Sequence, residues 1–310
     1  MIITVTMNPA VDKTVEIENF RIGVVNRISS LRLDAGGKGI NVSKTVKAIG
    51  GSSLASGLLA GGAGQFIKGY LDQAGIDNDF VFIKGETRTN VKVVDRVNHT
   101  NTDINEPGPV VSAEDIGQLE RKVFDCLNRD SLLILSGSIP ANVSAGIYKG
   151  WIERARKAEA RVLLDADGEL MREGIKAEPY LIKPNINELE RLMGRRLESV
   201  ESIAGAAKSL IGTGIKVIAV SLGAEGAIFA NESCIIHAEG LKVEVRSTVG
   251  AGDAMVAALA VALERDYSFE KAVALSVAAG TANVATEGTQ PPALADVMQY
   301  EGLVRISYVK

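Results

Sequence analysis

Apolar positions recur in two registers along this chain. Short continuous apolar runs at Ser53 to Leu59, Leu132 to Leu135, Arg161 to Leu164, Tyr180 to Ile182 and Lys216 to Val220 are separated by stretches of another kind. In Gly39 to Ile49, Glu114 to Leu127, Ala145 to Ala158 and Ser202 to Ile211, apolar residues return every three or four positions. Continuous runs suit strands buried on both faces, and the longer period suits helices lying over them. The pattern predicts an α/β fold, a mainly parallel central sheet between two helical layers.

Two stretches break the alternation. Val11 to Phe20 with Asn26 to Leu33, and Asn90 to Asn105, read as strands without intervening helices. Breakers in Asp103-Ile104-Asn105-Glu106-Pro107-Gly108-Pro109 then return the chain to the main layer. These stretches predict a small antiparallel accessory sheet. It is either a lid made by two insertions, about 11–34 and 88–106, in a single domain covering 1–310, or a pair of surface hairpins. An open sheet of this kind exposes edges and one apolar face, so a homodimer joined through the lid is expected. Nearer the C-terminus, Ala251 to Leu263 and Phe269 to Ala285 are rich in small residues and predict closely packed, buried helices.

Composition narrows the function classes. With 310 residues, 46% of them hydrophobic, the chain can bury a large core. A net charge of −4 argues against general nucleic-acid binding, so any phosphate must be bound locally. Met1 to Pro9 reads as a buried strand with no basic leader, and no apolar run approaches the roughly 18 residues of a membrane helix; the expected location is the cytoplasm, with no membrane partner. Cys126 falls on the apolar side of a helical pattern, and Cys234 with His237 lacks the further ligands a zinc site needs.

The strongest chemical signal is Ser247-Thr248-Val249-Gly250-Ala251-Gly252-Asp253-Ala254-Met255, a glycine turn opening into an Ala-rich helix. A helix start exposes N–H groups and a positive dipole end, and glycines let an anion approach the main chain. Asp253 is then either a helix cap or a base beside an anion hole. A second turn, Ala35-Gly36-Gly37-Lys38-Gly39-Ile40-Asn41-Val42, is either a tight turn with a solvated lysine or a pocket for hydroxyls and phosphate. It is not a Walker A loop, because Gly39 follows Lys38 where Ser or Thr is required. Gly62-Ala63-Gly64-Gln65-Phe66-Ile67 lacks the third glycine of a dinucleotide fingerprint and reads as a plain strand-to-helix turn, which disfavours an oxidoreductase. In Lys183-Pro184-Asn185-Ile186-Asn187-Glu188, Glu188 stands where an acid commonly offsets a helix dipole. Ser221-Leu222-Gly223-Ala224-Glu225-Gly226 follows a strand as either an ordinary turn or a nucleotide-binding one.

In this order, over essentially the whole chain, the motifs resemble those of the ribokinase-like carbohydrate kinases, the PfkB family. The resemblance implies a three-layer α/β/α sandwich with a β-sheet lid, ATP as co-substrate and Mg²⁺. It also implies that Asp253 is the catalytic base, beside an anion hole made by Gly250, Ala251, Gly252 and Asp253. Asp12, Gly36, Gly37, Gly39, Asn41, Asn90 and Ser138 would serve the acceptor sugar. Lys183, Asn185, Ser221, Gly223 and Gly226 would serve the nucleotide together with Gly250 and Gly252, and Glu188 would hold Mg²⁺ through water.

A phosphorylated acceptor needs cations, and Lys38, Arg88 and Arg27 are the candidates unless each is an ordinary solvated side chain. Within the family, the segments Asn8-Pro9-Ala10-Val11-Asp12, Glu86-Thr87-Arg88-Thr89-Asn90 and Thr102 to Pro109 are most similar to bacterial enzymes that phosphorylate fructose 1-phosphate at C6. Kinases of tagatose 6-phosphate and fructose 6-phosphate share the catalytic motifs. A sensor that binds nucleotide or sugar phosphate without turnover is the alternative from another class, and the full set of chemical groups argues against it.

Overall fold

The computed structural model describes residues 1–309. The first half runs β1 (Ile2–Thr6), β2 (Ala10–Glu16), β3 (Ser30–Gly36), α1 (Lys38–Ala48), β4 (Ser53–Ala60), α2 (Gly61–Gln73), β5 (Asn78–Ile83), β6 (Arg88–Asp95), β7 (Thr100–Ile104), α3 (Ala113–Asp125), β8 (Leu132–Ser136) and α4 (Ile147–Lys157). The second half runs β9 (Arg161–Asp165), α5 (Gly168–Ile175), β10 (Leu181–Ile182), α6 (Ile186–Met193), α7 (Val200–Ile211), β11 (Val217–Ser221), β12 (Gly226–Asn231), β13 (Ile235–Glu239), α8 (Ala251–Glu264), α9 (Phe269–Val284), α10 (Leu294–Glu301) and β14 (Ile306–Tyr308).

Ten strands form one sheet in the order β14-β13-β12-β11-β10-β9-β8-β1-β4-β5. From β5 to β11 every ladder is parallel, and β12 to β14 add an antiparallel edge. The continuous apolar runs have the expected cause, since alternate residues serve two cores. Ile3, Leu133, Leu164 and Ile218 pack beneath one helical layer with residues such as Trp151, Leu189 and Leu210. Ile2, Leu132, Leu163 and Val217 pack beneath the other, against α8 and α9. The Ala-rich sequence of α8 lets it lie close to α9 and α1, with all residues from Asp253 to Ala262 buried. The architecture is the expected three-layer α/β/α sandwich, with α5, α10, β5 and the β12–β14 edge in addition to the elements legible from periodicity.

The lid is a second sheet, in the order β3-β2-β6-β7. Its β2–β3 and β6–β7 ladders are antiparallel, as expected of hairpins. The β2–β6 ladder is parallel, because it joins two separate insertions and no tight turn dictates its sense. Strand period then sorts the lid residues onto two faces. One cross-strand row is Asp34, Asp12 and Asn90, with the neighbouring row Arg32, Thr14 and Lys92 on the same polar face. The opposite face carries Val11, Val15, Leu31, Leu33, Val91 and Val93. Close to the main body Val11 is covered by the α2 cluster around Ile67 and Leu71. Further out the apolar face opens to solvent, with Leu31 53% exposed and Ile104 56% exposed.

Candidate active site

The parallel strands end on one side of the sheet, where the chain leaves β1 toward β4 on one flank and, later, toward β8 on the other. Such a switch in strand order opens a crevice beyond the carboxyl ends. Here it is a cavity of about 1370 Å³, walled by the ends of β1, β8, β9, β10 and β11, the polar lid face and the start of α8.

Gly250 caps α8 in the left-handed conformation, φ 89°, which suits glycine, and no side chain takes the first N–H groups of that helix. Asp253 is therefore not a cap. Its Oδ2 accepts a hydrogen bond from Asn41 Nδ2 at 2.8 Å instead, and the carboxyl is 5% exposed. Burial pushes its pKa up to about 6, and the nearby Asp165 charge adds to the rise while Lys38, Asn41 and Lys183 oppose it. A carboxylate with that proton affinity, beside free helix-start N–H groups, can take a proton near neutral pH while an anion rests on the backbone.

Asp12 and Asn90 reach the cavity from the lid, where Asn90 Nδ2 donates to Asp12 Oδ1 at 3.1 Å. Burial raises the Asp12 pKa. Arg88 Nη2 donates to the Asn8 carbonyl at 3.0 Å and lies 3.5 Å from Ser138 Oγ. Lys38, beside Gly37 at the head of α1, lines the cavity with them.

On the opposite wall, Lys183 follows β10, and Asn185 bridges to Ser221 at the end of β11. Gly223 and Gly226 line the same wall. Asn185 and Glu188 form a capping box on α6: Asn185 Oδ1 accepts the Glu188 N–H at 2.9 Å and Glu188 Oε2 accepts the Asn185 N–H at 2.8 Å. The helix-end role of Glu188 is thus real, yet its carboxylate also faces the cavity and helps keep Lys38 protonated. Among the described residues no group of three or more His, Cys, Asp and Glu could hold a metal ion. A single carboxylate with an uncommitted oxygen fits an ion that takes most of its ligands from water and phosphate, as Mg²⁺ does.

The residue that sequence reasoning missed is Asp165. It ends β9 fully buried, and its Oδ1 lies 3.1 Å from Lys38 Nζ and 3.5 Å from Lys183 Nζ. Burial works against its charge, but the two lysines outweigh it and hold the carboxyl below its ordinary pKa. Asp165 thereby fixes one cation of each wall. A lone Asp after an apolar strand carries no motif, so only the fold reveals it.

Three expected residues are placed otherwise. Arg27 sits exposed in the loop between β2 and β3 rather than in a strand, makes no hydrogen bond or ion pair among the described residues and does not line the cavity. The chain turns out of β2 at Glu16 and re-enters the sheet only at Ser30, which carries Arg27 beyond the lid. Gly36 and Gly39 serve by close packing: a Cβ on Gly36 would lie 2.0 Å from Asp12 Oδ2, and one on Gly39 would lie 2.5 Å from Thr6 Oγ1.

This site, on this fold, coincides with what comparison with known proteins finds. The model of the pfkB family carbohydrate kinases matches residues 2–296, and the chain belongs to that family. It is 36% identical to a 1-phosphofructokinase of Borreliella burgdorferi over 91% of each chain, and 34% identical to one of Bacillus subtilis over 93% of each. The crystal structure of phosphofructokinase-2 from Escherichia coli in complex with substrates and products superposes with a TM-score of 0.94 at 29% identity, covering 97% of this chain and 98% of that one. The chain is a carbohydrate kinase.

Proposed function

We propose that the protein transfers the γ-phosphoryl group of ATP to the C6 hydroxyl of fructose 1-phosphate, giving fructose 1,6-bisphosphate and ADP. The observation that carries this reading is Asp253, a buried carboxylate of raised pKa held against free N–H groups of α8, between a wall with Lys183 and a wall with Lys38 and Arg88. Asp253 accepts the C6 hydroxyl proton as the sugar oxygen bonds to the γ-phosphorus and the bond to the ADP oxygen breaks. The amides of Ala251, Gly252 and Asp253 face the charge on the transferring group. Asp12, Asn90 and Asn41 orient the sugar hydroxyls, and Arg88, Ser138 and Lys38 take the phosphate it already carries. Lys183, Asn185, Ser221, Gly223 and Gly226 hold the nucleotide, and Asp165 keeps Lys38 and Lys183 in place. Mg²⁺, held by Glu188 largely through water, would neutralise phosphate charge. The lid face bearing Asp12 excludes water from the reacting groups.

The names of the curated relatives support fructose 1-phosphate over fructose 6-phosphate or tagatose 6-phosphate as acceptor. With ATP as donor, the reading places the enzyme in the cytoplasm, working as a dimer whose second copy covers the open apolar face of the lid. A coupled assay of ADP release with fructose 1-phosphate, fructose 6-phosphate, tagatose 6-phosphate and free fructose tests the assignment. The highest kcat/KM belongs to fructose 1-phosphate; a preference for any other acceptor overturns the substrate, and ATP binding without ADP release on any of them overturns the kinase reading.

A further inference from the structure

Next to Asn41, and outside the lining of the cavity, lies a third lysine, which the mechanism above does not use. Lys44 is one turn beyond Asn41 on α1 and is 2% exposed. A buried ammonium has only protons to offer and must place them on acceptors. Its Nζ donates to the Ala35 carbonyl at 2.9 Å, where β3 leaves the lid, and to Asn41 Oδ1 at 3.3 Å. Asn41 in turn donates its Nδ2 to Asp253 Oδ2. The Tyr70 ring of α2 stands 5.5 Å from Nζ.

An asparagine amide can turn either end toward a neighbour, and only one orientation helps the base. With Nδ2 toward Asp253 the amide donates to the carboxylate; turned over, it would set Oδ1 against it. The ammonium of Lys44 settles the choice, because it attracts Oδ1 and repels the amide protons. From the chain Lys44–Asn41–Asp253 we infer that Lys44 is a positioning residue, which locks the Asn41 amide so that it donates to the catalytic carboxylate and keeps that carboxylate ready to accept a proton.

The electrostatic surroundings agree with this role. The charged groups that face Lys44 are Asp34 on β3, Asp12 on β2 and Asp253 on α8, all of which favour its ammonium form, while burial is the stronger influence and brings its pKa down to about 8. Lys44 is therefore charged at neutral pH and loses its proton just above it. The inference rests on Asp253 being the base, and it adds a prediction that this assignment alone does not make: the basic limb of the activity profile belongs to Lys44.

The test follows the Asp253 carboxyl by carbon NMR in protein labelled at aspartate, the resonance being identified by its loss in Asp253→Asn. Lys44→Met keeps length and removes charge; its Asp253 midpoint rises by about one pH unit. The acidic limb of kcat/KM moves up with it, kcat falls by about tenfold and the KM for ATP stays within about twofold of wild type. Lys44→Arg restores most of kcat and, staying charged, removes the basic limb near pH 8. Should Lys44→Met not fold, Lys44→Gln removes the same charge and must raise the same midpoint. A folded neutral variant with the wild-type midpoint and acidic limb overturns the inference and leaves Lys44 a structural counter-charge for the lid aspartates. The titration needs neither ATP nor sugar, so an error in the acceptor does not touch it, whereas full turnover by Asp253→Asn would sink the base assignment and this inference together.

Discussion

Lys38 Nζ, at the head of α1, lies 3.1 Å from Asp165 Oδ1, at the end of β9. The pair ties a helix from one layer to a strand on the far side of the switch in strand order. Since Lys183 shares the same oxygen, one buried carboxylate sets the spacing between two cations on opposite walls.

Asp165→Asn should release both. Lys183 is 5% exposed at its side chain, so it would be left as a buried charge without its partner, a change that costs about 3 kcal/mol or more. Chemical denaturation measures that loss, and kcat/KM should fall by about 100-fold because the cations no longer hold their places. An Asn variant with unchanged kcat/KM would show that the lysines are placed by other contacts.

For Asp253 the expected effects on activity and stability are opposite. Asp253→Asn should abolish turnover and leave ATP binding nearly intact. The folded carboxyl titrates at about 6 against an ordinary 3.8, so the folded state binds the proton more tightly and wild-type stability declines as pH rises from about 4 to 6. Above that window the buried charge costs on the order of 2–3 kcal/mol, which the neutral amide avoids. Asp253→Asn should accordingly melt higher than wild type at pH 7, and the difference should vanish below about pH 4. In wild type, kcat/KM should drop below pH 6.

Two glycine substitutions separate the halves of the site. In Gly36→Ala the new Cβ would stand 2.0 Å from Asp12 Oδ2, so the lid aspartate must move, and the acceptor KM should rise by about tenfold while the ATP KM does not. In Gly252→Ala it would meet Lys183 Nζ at 2.9 Å, displacing a flexible lysine end; here ATP affinity and kcat suffer and acceptor binding is spared. Steady-state kinetics with each substrate varied in turn distinguishes the two patterns.

The open lid face predicts a dimer that charge should undo. Leu31 and Leu33 are 53% and 45% exposed on that face, and replacing both with Lys should shift the protein to monomer in light scattering while leaving its melting temperature within a few degrees. A dimer that survives the double substitution would place the interface elsewhere.

The sandwich was legible because buried parallel strands and amphipathic helices leave opposite marks on a sequence, as in Leu132 to Leu135 and Ser202 to Ile211. β5 and α5 were not picked out, and β14, exposed throughout, bears no burial pattern at all. In the site, residues that sit on glycine turns were found because the turn itself is visible, as with Asp253 and Lys38. Asp165 and the Lys44–Asn41 contact were not, since their meaning lies in who stands opposite. Arg27 was misplaced for the same reason: a basic residue between two strand-like runs looks like part of a strand, and only the turn beginning after Glu16 removes it.

The parallel ladder between β2 and β6 brings together Asp12 and Asn90, 78 positions apart, with α1, β4, α2 and β5 lying between them in the chain. Closing so long a loop costs entropy before any pairing repays it, so this ladder forms once the intervening helices and strands have found the main sheet. The contact of Asp12 with Asn90 thus depends on how residues 37–87 fold. A chain emerging from synthesis, N-terminus first, presents Asp12, Arg88 and Asn90 well before Lys183, Ser221 and Asp253, so its small sheet can assemble before the opposite wall of the cavity exists.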